Sequence, residues 1–128
     1  MANIVYPIGI QSFVEIRSLG SIYVDKTALV HELADTGKYY FLSRPRRFGK
    51  SLLISTLHEY FIGNRAIFKG LAIDRLESGE WPCHPVLHID FNGRNYVKYP
   101  EILTRHLCTT LLKWADELEI QINRELTP

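Results

Sequence analysis

The segment Arg44-Pro45-Arg46-Arg47-Phe48-Gly49-Lys50-Ser51 gathers residue types that bind phosphate. Gly49 lets the backbone approach an anion closely, and the N–H groups of a helix starting there would point at it. The Lys50 ammonium would reach the β- and γ-phosphates of a nucleotide, and the Ser51 hydroxyl would ligate Mg²⁺. Against the phosphate-loop pattern G-x-x-x-x-G-K-[ST], the last three residues match and Arg44 stands at the first glycine. Arg44 takes positive φ less freely than glycine, and Pro45 offers no N–H. Offsetting this, Arg44, Arg46, Arg47 and Lys50 place four cations in seven residues. A solvated basic turn carrying a chance G-K-S is the competing reading.

Fewer signals attach to other polar residues. Asp90 closes an apolar run about forty residues after Lys50, where a Mg²⁺ ligand of the Walker B kind would sit. An aspartate ending a strand and capping the turn at Asn92-Gly93 is the plainer account. Asp25 and Lys26 precede a helical pattern and would either contact a nucleotide base or ribose, or cap and solvate that helix. His84 and His88 are four apart, a spacing that gathers metal ligands on a helix but not in a Pro-flanked strand. No catalytic residue is assigned.

These groups need elements to hold them. Ser21–Thr27 leans to β structure, and a helix follows with Leu29, Val30, Leu33 and Ala34 on one face and Gly37 as its stop. Lys38–Leu42 is aromatic and apolar without alternation, which predicts a strand buried on both faces and hence a parallel sheet. After the basic loop, Leu53, Leu57, Tyr60 and Phe61 define a second helix ending near Gly63. Residues 64–85 are turn-rich. Val86–Phe91 reads as another apolar strand, and Pro100 opens a helix with Leu103, Leu107, Leu111, Trp114 and Leu118 at helical spacing. Strands alternating with helices predict an α/β fold.

Composition narrows the classes. The 128 residues carry 15 basic and 14 acidic side chains, for a net charge of +1, and 46% are hydrophobic. That suits one globular domain and excludes a generally basic nucleic-acid coat. Two cysteines, Cys83 and Cys108, make no disulfide framework. No run approaches the 18 apolar residues of a membrane span, and Met1–Pro7 has no basic leader region, so a cytoplasmic location without membrane association is expected.

The strings Tyr23-Val24-Asp25-Lys26-Thr27 and Gly37–Leu53, with Ser-Arg-Pro-Arg-Arg-Phe-Gly-Lys-Ser at the centre, resemble the bacterial AAA-ATPase-like family. Tyr60–Gly63, Ile67–Ile73 and Pro85–Phe91 carry the likeness further, over roughly residues 7–115. Arginine at the first glycine position is then a family trait. The resemblance implies a three-layer fold like that of P-loop NTPases, with a parallel sheet flanked by helices, incomplete here. It implies ATP and Mg²⁺ as cofactors, with Arg46, Arg47, Phe48, Gly49, Lys50, Ser51 and Leu52 at the nucleotide and Ser51 at the metal. The family's later acidic strand is not found after Asp90, and neither is the nuclease module that many members carry and that would meet nucleic acid. Residues 1–128 therefore read as the N-terminal portion of an AAA-ATPase-like domain with little hydrolysis of its own. The alternatives are a nucleic-acid or anion-binding module using the arginine loop, and a regulatory remnant without catalysis.

Overall fold

The computed structural model of the chain describes residues 5–93 and 95–119. It falls into two compact units, one ending at His84 and the other beginning at Pro85.

The first unit is helical. Its elements are α1 (Phe13–Ser18), α2 (Thr27–Thr36), α3 (Lys50–Phe61), a 3₁₀ turn (Arg65–Phe68) and α4 (Ala72–Leu76). α1 starts on a capping-box pattern, Ser12-x-x-Glu15, and the Ser12 hydroxyl accepts the Glu15 N–H at 3.3 Å. Six residues would not hold a helix in water. Burial of Phe13 and Ile16 on one face supplies what propensity does not.

Phe13, Val30, Tyr60, Phe68, Leu71 and Ile73 form the core, with Leu52, Leu53, Leu57 and Trp81 packed around it. The Phe13 ring lies 4.8 Å from Phe68 and 5.2 Å from Tyr23, and the Phe68 ring lies 5.1 Å from Trp81. Truncating a buried ring such as Phe68 to alanine costs about 3–5 kcal/mol. The expected α3 face thus packs as its spacing requires. On α2, Val30 is buried and Leu33 and Ala34 are half-buried, while Leu29 is exposed.

The second unit pairs an extended segment with α5 (Pro100–Glu117), which has Pro100 in its first turn. The Trp114 indole N–H donates to the Val86 carbonyl at 3.0 Å, and His106 Nε2 lies 2.8 Å from the Asp90 carbonyl. Eight helical residues rise about 12 Å and four extended ones about 13 Å, so both bonds form at once with the two chains running antiparallel.

The expected α/β fold with a parallel sheet is overturned: among the described residues there is no strand. Residues 38–42 and 86–91 are non-helical, but they form no ladder. A run of apolar residues signals a preference for burial, while a strand exists only through a partner's N–H and C=O groups. Burial on both faces also fails for the first run, since Tyr39 and Phe41 are each 93% exposed. The segment 64–85, expected as turns, contains the 3₁₀ turn and α4.

Candidate functional site

Residues 43–49 form an exposed loop entering α3. Gly49 is the N-cap of α3 at φ 78°, ψ 15°, and it brings no side-chain acceptor to the helix start. The first helical bond runs from the Leu53 N–H to the Gly49 carbonyl at 2.9 Å. The N–H groups of Lys50, Ser51 and Leu52 come before it and have no intrahelical partner. No acidic residue occupies the first turn of α3, so the positive end of the helix dipole is not neutralised from within.

The loop is closed by its lysine. The Lys50 ammonium donates to the Arg44 carbonyl and, at 3.0 Å, to the Pro45 carbonyl. An ammonium has three donors, so one is left for an incoming oxygen. Arg47 sits at φ 65°, a left-handed conformation that a side chain adopts at a cost of about 1–3 kcal/mol. Two left-handed residues, Arg47 and Gly49, thus turn the chain twice in three positions. Arg44, Arg46 and Arg47 are exposed, and none forms an ion pair among the described residues. Phe48 is also exposed. Leu52 is half-buried against the core, so its side chain serves packing.

The other expected positions are placed differently. Asp90 lies in the second unit, where its carboxylate accepts the Asn92 N–H at 2.9 Å, the turn-capping geometry. No group of three or more His, Cys, Asp and Glu side chains suited to a metal occurs among the described residues. Both cysteines are free.

Asp25 is bound up in structure. One carboxylate oxygen accepts the Thr27 N–H at 2.9 Å and the Thr27 hydroxyl at 2.6 Å, and the other accepts the Ala72 N–H at 2.7 Å. The Thr27 oxygen, fully buried, accepts the Ile73 N–H at 3.1 Å. The start of α2 is thereby bolted to the start of α4. Burial works to raise the Asp25 pKa, but the bonds from Thr27 and Ala72 and the Arg75 charge outweigh it and hold the carboxyl below its ordinary value. The Lys26 side chain makes no cap bond.

Three further contacts have no clear signal in the sequence. The Arg17 guanidinium donates to the Ile67 and Lys69 carbonyls at 2.8 and 2.9 Å, across fifty residues. The Tyr60 hydroxyl donates to Glu77 at 2.5 Å, and burial together with that carboxylate raises the phenol's pKa. The Tyr40 hydroxyl donates to the Leu33 carbonyl at 2.7 Å. The first two depend on long-range packing and leave no local pattern. Tyr40 was hidden among three consecutive aromatics.

No helix among the described residues is long and apolar enough to cross a membrane. No solved structure matches the chain. An uncharacterized protein in the vnfD 5' region of Azotobacter chroococcum mcd 1 is 51% identical over 89 residues. The match takes in 68% of this chain and 17% of that relative's length. A family model described as predicted AAA-ATPase matches residues 7–127, and the chain accordingly belongs to the AAA-ATPase-like family.

Proposed function

We propose that residues 44–51 bind the phosphates of ATP with Mg²⁺. The observation that carries the reading is Gly49 in the left-handed conformation, which opens α3 with N–H donors that no side chain caps. Helix N-termini of this kind favour anions through donors and dipole together. Arg44, Arg46 and Arg47 add charge at the same mouth, and Ser51 is exposed on the first turn, where its hydroxyl would meet the metal. The membership of a family described as predicted AAA-ATPase supports the same ligand class.

Titration with ATP, with and without Mg²⁺, tests this. Mg²⁺ should strengthen binding to the wild type, and Ser51→Ala should lose most of that gain. Equal strengthening in both proteins would remove Ser51 from the metal. The arginine loop would also attract nucleic-acid phosphates, so a competition arm belongs in the same experiment. ATP should displace a single-stranded oligonucleotide; failure to do so, with binding that falls steeply with salt, would favour a nucleic-acid site.

A further inference from the structure

We propose that Tyr40 is a positioning residue for the phosphate loop, fastening the loop's entry to the end of α2. The proposal rests on the reading of residues 44–51 as a phosphate site.

The two ends of the loop are held very differently. Its exit is α3, fixed by core burial and by Ser55, whose hydroxyl accepts the Phe13 N–H at 3.0 Å. Its entry, residues 38–43, is exposed throughout. Among the described residues, the Tyr40 hydroxyl is the hydrogen-bonded link between residues 38–48 and the helices before them. It donates to the Leu33 carbonyl and lies 3.2 Å from the Thr36 hydroxyl, both in the last turns of α2. Tyr39 and Phe41, on either side, form no such link.

Gly37 makes the contact possible. A Cβ built there would lie 2.5 Å from the Tyr40 hydroxyl oxygen and 2.8 Å from its Cζ. A side chain at position 37 would force the phenol to shift from this seat. Four residues after Tyr40, the Arg44 carbonyl receives the Lys50 ammonium. The tether therefore sets where the loop begins, and Lys50 closes the ring from the other side. Binding that orders a loose loop is weakened by the cost of ordering it. A tethered entry removes part of that cost.

Tyr40→Phe keeps the ring and deletes the bond, Gly37→Ala displaces the phenol, and the double variant does both. Two readouts are needed. In nucleotide-free protein, tryptic cleavage after Arg46 and Arg47 should accelerate about 3- to 10-fold relative to cleavage after Arg17 and Arg75, as expected for losing one hydrogen bond. Global destabilisation would raise all sites together. The Kd for Mg-ATP should rise by a similar factor, and the double variant should be no worse than the more affected single, because both changes break one contact.

Multiplying effects in the double variant, or unchanged loop cleavage in both singles, would overturn the tether. If loop cleavage accelerates but wild-type protein binds no ATP, the tether stands and the phosphate reading fails. If ATP binds and neither readout responds, the reading stands and the tether fails.

Discussion

Two polar constellations in the first unit use the same kinds of group to opposite ends. At the Asp25–Thr27 bolt, carboxylate, hydroxyl and backbone N–H groups are turned on one another, and Thr27 is wholly buried. At residues 44–51 the three arginines are exposed and the first N–H groups of α3 have no side-chain cap. Satisfied donors hold a fold together; donors kept open are available to a ligand. Both sites belong to strings that carry the family likeness, so the likeness alone does not distinguish an anchor from a binding loop. Their hydrogen-bond partners differ: closed on one another at Asp25–Thr27, and left open at the loop.

The contrast predicts effects that separate cleanly. The largest is at the bolt: Thr27→Val leaves the buried Ile73 N–H without its acceptor and should cost about 2–3 kcal/mol in denaturant unfolding. Mg-ATP affinity, measured where the variant is still folded, should be unchanged. A loss of affinity would place Thr27 at the ligand.

At the loop the signs reverse. Arg47→Gly relieves a left-handed side-chain residue, worth about 1–2 kcal/mol, but adds about 0.5–1 kcal/mol of unfolded-chain entropy, so stability should stay equal or rise by about 1 kcal/mol. The same change should weaken Mg-ATP several-fold by removing a cation. A fall in stability would show that Arg47 packs rather than strains.

The smallest effect is electrostatic. Asp25 has its folded pKa held below the unfolded value, so its contribution is present above the ordinary carboxylate range and is lost as pH falls through the folded pKa. Asp25→Asn should therefore flatten the acid limb of stability against pH, below about pH 4. An unaltered acid limb would show that the Thr27 and Ala72 bonds do not depend on the carboxylate's charge.

What the sequence made legible follows from how local each feature is. Gly49-Lys50-Ser51 at a helix start is set by adjacent residues, and so is the α3 face of Leu53, Leu57 and Tyr60. Pro100 at the start of α5 was readable for the same reason. Strands at 38–42 and 86–91 were not, because pairing is a property of two segments and apolar content describes one. α1 leaves little local signal because it is a single capped turn and a half, stabilised by Phe13 packing on Phe68 far along the chain. Asp25 had two possible roles in sequence, and only its distance to Ala72, forty-seven residues on, decides for the bolt.

The claim that the loop is a nucleotide site stands or falls on Lys50. Calorimetric titration of Mg-ATP into wild-type protein and Lys50→Ala measures it most directly, with thermal midpoints checked in parallel. Loss of one charged donor to phosphate should weaken binding about 10- to 100-fold with little change in midpoint. Equal affinity in the two proteins would contradict the account.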